Sequence, residues 1–232
     1  FGCNADSPST TTTPDYQTVI DMDGDELQMP AKIETIIDTW SAATDNLFNL
    51  GAGDLLVSGH SAANSKWARR VYPPIADLPD YSKATTEEML RVDADMVLVT
   101  SKARKEELRA AGVNAVNLVY KDYETFKQST ILMGKMLGDV YEERANKVAE
   151  YVDYVMTESD KLLAQLPESE RPVVYYCMSN DPTNLYASAG GGSIIDEWVI
   201  RAGGKLATAD LGKGMGLKDV TAEQILKTNP DV

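Results

Sequence analysis

Histidine and cysteine are almost missing from these 232 residues: His60 stands alone, and the two cysteines, Cys3 and Cys177, lie far apart. One histidine excludes a His-based zinc site of the usual catalytic kind. A Ser-His-Asp arrangement survives only with His60 as its base. Two distant cysteines permit one disulfide at most and build no disulfide framework. No apolar run is long enough to span a bilayer. Cations are also scarce: 22 Lys and Arg face 36 Asp and Glu, for a net charge of −14. Such a surface repels phosphates, which argues against nucleic acid as a partner. What remains is an ordinary globular composition, 43% hydrophobic and 25% charged. The length suits two lobes of about a hundred residues each, or one large domain.

The N-terminus carries a signal of its own. Phe1-Gly2-Cys3 is followed by Asn4-Ala5-Asp6-Ser7-Pro8-Ser9 and then threonine from Thr10 to Thr13. Gly-Cys before a Ser/Thr/Pro-rich tether resembles the processing site of a bacterial lipoprotein, where the cysteine becomes the lipidated terminus. The alternative is a tail with an incidental cysteine. If Cys3 is the anchor, Cys177 is left as a lone buried thiol.

From Tyr16 the chain reads as a small β element turning at Asp23-Gly24-Asp25. Ile33 to Ile37 reads as a first buried strand. A helix runs from Trp40-Ser41 to Leu50, with Gly51 as its C-cap. Leu55 to Ser58 is a further short apolar run, and Tyr72-Pro73 to Leu78-Pro79 an extended loop. Thr85 to Val92 is a short helix, Asp95 to Thr100 a continuous apolar strand, Lys105 to Ala111 a helix stopped at Gly112, and Val113 to Tyr120 another strand. Continuous apolar strands between helices imply a mostly parallel sheet covered on both faces, an α/β lobe. From Tyr123 to Leu166 apolar residues recur at helical spacing, with Gly134 and Gly138 as points of bending or separation. Val173 to Met178 then reads as a strand. Gly190-Gly191-Gly192 opens a helix from Ser193 to Ala202.

A short motif occurs twice. Thr85-Thr86-Glu87-Glu88-Met89-Leu90-Arg91 precedes Asp95-Met96-Val97, and Thr221-Ala222-Glu223-Gln224-Ile225-Leu226-Lys227 precedes Asp231-Val232 at the same spacing. Each copy reads as an N-capped helix feeding a buried strand. Two copies suggest two related halves.

These stretches resemble the iron-siderophore, haem and cobalamin class of ABC transporter substrate-binding proteins. The resemblance rests on Asp21-Met22-Asp23-Gly24 with Met29-Pro30-Ala31-Lys32-Ile33, on Leu50-Gly51-Ala52-Gly53-Asp54-Leu55-Leu56-Val57, on Tyr72-Pro73 to Leu78-Pro79, on Gly203-Gly204 and on Asn229-Pro230-Asp231-Val232. It covers the chain from about Val19. It implies an α/β fold of two Rossmann-like lobes joined by a long rigid helix, with the ligand in the cleft between them. The corresponding divisions are a tether over 1–15, an N-terminal lobe over 16–122, a helical spine over 123–170 and a C-terminal lobe over 171–232. The family continues beyond Asn-Pro-Asp-Val, so the second lobe is expected to be incomplete at its C-terminus.

The resemblance also implies a function without catalysis: an extracytoplasmic binding component, anchored through Cys3, that passes a metal chelate to a permease and its ATPase. A ferric siderophore is the first expectation, with haem or a corrinoid beside it. No cofactor is implied, and a monomer is expected. Glu87 and Glu223 match the positions at which the family docks one glutamate per lobe on permease arginines; fixed negative points register a protein on a two-fold partner. The carboxyl ends of the strands should line the cleft. They offer Trp40, Ser41, Ser58, His60, Lys102, Arg104, Tyr120, Met178, Asn180, Tyr186 and Lys213. Aromatic faces with a few cations suit a large, flat or anionic chelate. His60 is a structural histidine or an axial metal ligand. The competing classes are an enzyme on a two-lobed α/β scaffold and a lipoprotein that scavenges or senses without an importer.

Overall fold

The computed structural model describes residues 16–60, 65–179, 186–217 and 219–232. It is a mixed α/β protein whose chain divides into two compact units. The first holds the described residues up to Val119 together with Leu132–Ala145, and the second holds Tyr120–Ile131 and Asn146–Val232.

In the first unit, β1 (Tyr16–Ile20) and β2 (Glu26–Pro30) form an antiparallel hairpin in register Ile20 to Glu26. Its turn uses Gly24 at φ 81°, a left-handed conformation that glycine adopts without a Cβ clash. The central sheet is parallel, in the order β3 (Ile36–Asp38), β4 (Met96–Val99), β5 (Ala115–Asn117). Leu56 adds a single parallel bridge to Ile36 on the open side of β3. The expected strand from Leu55 to Ser58 is therefore one bridge following a 3-10 turn over Gly53–Leu55. The expected loop around Pro73 is instead a 3-10 helix, Pro73–Asp77, whose two leading prolines fit a first helical turn.

Strand residues alternate between two cores, because successive side chains point to opposite faces. Ile36, Met96, Leu98 and Val116 face one core with Met29, Leu47, Leu50 and Met133. Ile37, Val97, Val99 and Ala115 face the other with Met89 and Leu108. The helices α1 (Ser41–Leu50), α2 (Lys66–Val71), α3 (Thr86–Val92) and α4 (Lys102–Ala110) belong to this unit. Gly51 ends α1 in the left-handed conformation, as expected. The helix expected from Lys105 begins three residues earlier, because the Ser101 side chain caps it by accepting from the Arg104 amide.

The helical stretch separates into α5 (Tyr123–Leu137) and α6 (Asp139–Leu163) at Gly138, where φ is 75° and Asp139 follows at 42°. Gly134 remains inside α5. A Cβ there would come within 2.4 Å of the Ala145 Cβ, so glycine permits the close helix approach. In the second unit, β6 (Val173–Val174) pairs in parallel with β7 (Lys205–Leu206). The strand expected up to Met178 keeps a regular ladder for only two residues; beyond it, the Tyr175 amide donates to the carbonyl of Val232 and the Met178 amide to that of Ala187. The helices α7 (Ile194–Arg201) and α8 (Ala222–Thr228) complete the unit around a core of Ala189, Ile195, Val199 and Leu206. No helix among the described residues is long and apolar enough to cross a membrane.

Candidate functional site

The two copies of the repeated motif fold alike. Thr85 caps α3 by accepting from the Glu88 amide, while the Glu88 carboxylate accepts from the Thr85 amide at 2.7 Å. Thr221 and Gln224 make the same reciprocal box on α8, with the Thr221 amide donating at 2.8 Å. Asp93 and Asn229 end the two helices in the left-handed conformation. The backbone and hydroxyl bonds from Thr85 hold the Glu88 carboxyl below its usual range. Glu87 and Glu223 are exposed on the first turns, where the helix dipole favours negative charge. The contact of Glu87 to Arg91 is a 3.5 Å surface pair and contributes little stability.

The motif aspartates behave alike as well. The Asp95 carboxylate accepts from the amides of Glu34 and Thr35 at 2.8 and 2.9 Å and from the Thr35 hydroxyl at 2.8 Å. The Asp231 carboxylate accepts from the Val173 amide at 2.8 Å. Each therefore clasps the backbone at or just before the neighbouring strand.

At the carboxyl end of β3, the Ser58 hydroxyl is fully buried and accepts from the Asp38 amide at 2.8 Å. Ser58, expected in a ligand-contacting position, instead braces the strand end. The buried Asp38 carboxylate accepts from the Trp40 amide at 2.9 Å and from the Thr44 hydroxyl. Burial pushes its pKa up to about 7 against those bonds, and Asp45 adds to the rise. Trp40 is half-buried at the N-cap of α1, Ser41 is half-buried on its first turn, and His60 is half-buried beyond Ser58. Next to this edge, a cavity of about 340 Å³ opens among Thr39, Ser82, Lys83, Thr100, Ser101 and Arg104.

Two expected ligand residues of this unit have structural partners. Lys102 pairs with Asp25 at 3.0 Å, and that bond holds its pKa above the ordinary lysine value. The Arg104 guanidinium donates to Thr86, Glu107 and the Ala84 carbonyl. Beside Lys102, the hairpin turn presents Asp21, Asp23 and Asp25, the three carboxylates among the described residues close enough together to hold a metal ion. The Lys105 ammonium occupies that position, within 2.5 to 2.8 Å of all three. Burial works to lower the Lys105 pKa, but the hydrogen bonds it donates to the three aspartates outweigh it and leave the value raised. This turn is a buried ion cluster locking the hairpin to α4.

In the second unit, Tyr120 meets Phe126 edge-on at 5.0 Å. Met178 and Tyr186 are 38% and 41% exposed, and Lys213 is exposed beside Gly191. The Gly190 backbone packs so closely on Gly212 that a Cβ would meet the Gly212 carbonyl oxygen at 2.3 Å. The glycine run thus serves loop packing ahead of α7. Cys177 is exposed rather than buried, and its thiol donates to the Ser179 carbonyl. Cys3 and Asn180 lie outside the described residues. The expected residues thus fall into sets within each unit. Lys83 and the hydroxyls around it were not among them; their signal was their place just past β3 and β4 or ahead of the Thr85 cap.

The fold is similar to that of known structures. The molybdate periplasmic binding protein MolA of a Haemophilus influenzae ABC transporter superposes with TM-score 0.77 at 16% identity, over 93% of this chain and 72% of that one. A periplasmic solute-binding protein from Veillonella parvula gives 0.70 at 22% identity, over 94% and 67%. The chain has the fold of the periplasmic solute-binding proteins. The periplasmic heme-binding protein RhuT from Roseiflexus shares it too, with TM-score 0.66 at 22% identity over 86% of this chain and 74% of that one. No protein-family model and no curated protein sequence matches the chain.

Proposed function

We propose that this protein is the extracytoplasmic substrate-binding component of an ABC importer. It captures a metal chelate, foremost a ferric siderophore, with haem or a corrinoid as the alternative cargo, and hands it to a permease and its ATPase. The two units act as lobes, with the α5–α6 stretch as the spine. Residues 16–122, 123–170 and 171–232 are the corresponding divisions. The observation that carries the importer role is the matched pair of capped helices presenting Glu87 and Glu223. Two equivalent carboxylates, one per lobe, suit a two-fold permease whose docking arginines are symmetric. The fold likeness supports the binding role, since the similar proteins include one named for molybdate and one for heme.

The proposed ligand-contacting residues are Trp40, Ser41, His60, Tyr120, Met178, Asn180, Tyr186 and Lys213, and no catalytic residue is needed. Cys3 is the lipid attachment point, and the protein works as a monomer. The Glu87→Arg/Glu223→Arg double variant should lose uptake while keeping its affinity for ligand by calorimetry. Normal uptake by that variant would refute the docking role. An absorption spectrum of protein purified from its native host separates the cargoes: a Soret band for haem, a corrin spectrum for a corrinoid, a ferric charge-transfer band for a siderophore. Colourless protein that binds none of the three would remove the metal-chelate assignment.

A further inference from the structure

We propose that the cavity beside Lys83 is an anion subsite that takes a negatively charged oxygen group, either a carboxylate arm of a larger ligand or a free oxyanion. The inference deepens the solute-binding reading and rests on it for its biological meaning. The cavity lies wholly within the first unit, at the carboxyl ends of two adjacent parallel strands. Thr39 directly follows β3, and Thr100 directly follows β4. Open α/β sheets place their ligands outside such ends.

Its lining is unusual for this protein. The chain carries 36 Asp and Glu against 22 Lys and Arg, yet among the described residues no carboxylate lines the cavity. Four hydroxyls and two cations do, over a floor of Ala84, Met89 and Val99. The Thr39 hydroxyl already donates to the Leu98 carbonyl at 2.7 Å, and the Ser101 oxygen accepts from the Arg104 amide at 3.4 Å. That second bond leaves the Ser101 hydroxyl proton to donate. Arg104 is a fixed wall, its charge shared with Glu107 at 2.6 Å. Lys83 is exposed and forms no ion pair with another described residue, so its ammonium is the positive charge free to meet a ligand. Three acids of this unit are otherwise engaged. Asp80 holds the Ser82 amide at 2.8 Å, Glu107 holds Arg104, and Asp38 is buried on Trp40 and Thr44. A local cation in an otherwise acidic surface focuses anions at this one place.

Calorimetric titration of the whole chain tests this, with sodium molybdate, phosphate, citrate and glycerol as probes. At least one anion should bind saturably and glycerol should not. Lys83→Glu should weaken that anion about tenfold or more, while Lys83→Arg retains it. Tighter molybdate or phosphate identifies a free oxyanion, and tighter citrate a carboxylate. Absence of saturable anion binding, or an affinity that Lys83→Glu leaves unchanged, overturns the subsite. No permease enters the titration, so it fails separately from the docking test. Uptake lost in the Glu87/Glu223 double variant of a protein that binds no anion would keep the importer and remove this subsite.

Discussion

In the first unit, α3 sends Met89 into a core shared with Val97, Val99 and Leu108, whereas α8 in the second unit has no fully buried residue. The following leucines differ in the same sense: Leu90 is 43% exposed and Leu226 is 76% exposed. Yet both helices have the same reciprocal cap, the same left-handed ending and an aspartate clasp. The motif is therefore locally sufficient in its hydrogen bonding. Its caps and clasps satisfy the backbone groups at the helix and strand ends without help from a core. What the core adds is unequal, and the variants below measure that inequality.

The largest expected effect belongs to the first unit alone. Lys105→Met strips the cation from three converging aspartates and should cost about 3–5 kcal/mol by chemical denaturation. A loss near zero would mean that the hairpin is held by its apolar contacts. The second effect is also confined to the first unit. Asp38 stays protonated in the folded protein up to about pH 7, whereas in the unfolded chain it ionises near the ordinary aspartate value of 3.8. The folded state therefore binds the extra proton between those values. The contribution of Asp38 is most favourable below about pH 4, declines as pH rises towards 7 and is flat above. Asp38→Asn should flatten that decline and raise stability at pH 8 by on the order of 3 kcal/mol, measured by urea melts across pH. An unchanged pH profile would contradict it.

Smaller effects compare the two copies directly. Asp95→Ala removes an acceptor of three hydrogen bonds and Asp231→Ala an acceptor of one. The first should cost about 2–3 kcal/mol and the second about 1. Equal losses would show that the extra bonds at Asp95 add nothing. Smallest are Thr85→Ala and Thr221→Ala, each expected to cost about 1 kcal/mol. If the cap of α8 were worth nothing while that of α3 kept its value, local sufficiency would fail.

Much of this was legible from the sequence because it is local. Thr85 and Thr221 mark N-capped helices, and Gly51 and Gly138 mark a helix end and a helix break. What was not legible depends on distant partners. The Asp23-Gly24-Asp25 turn is evident, but the lysine that fills it lies 84 residues from Asp21. The short length of β6 follows from neighbouring loops taking over its pairing, and no propensity in Val173 to Met178 reports that. Ser58 follows a short apolar run as a strand-end contact would, but its hydroxyl is committed to the Asp38 backbone. Lys83 precedes the Thr85 cap in sequence, which marks a loop but not a cavity. Only the fold places it beside the ends of β3 and β4.

The Asp95 clasp also sets a count. By holding the backbone just ahead of β3, it aligns Ile36 with Met96 and Ile37 with Val97. Even-numbered residues of these strands then enter one core and odd-numbered residues the other. Both faces of the sheet are apolar, so hydrophobicity alone would tolerate a slip by one place, which exchanges every side chain between the two cores. A single carboxylate thus supplies the phase that an apolar pattern of this kind leaves undetermined.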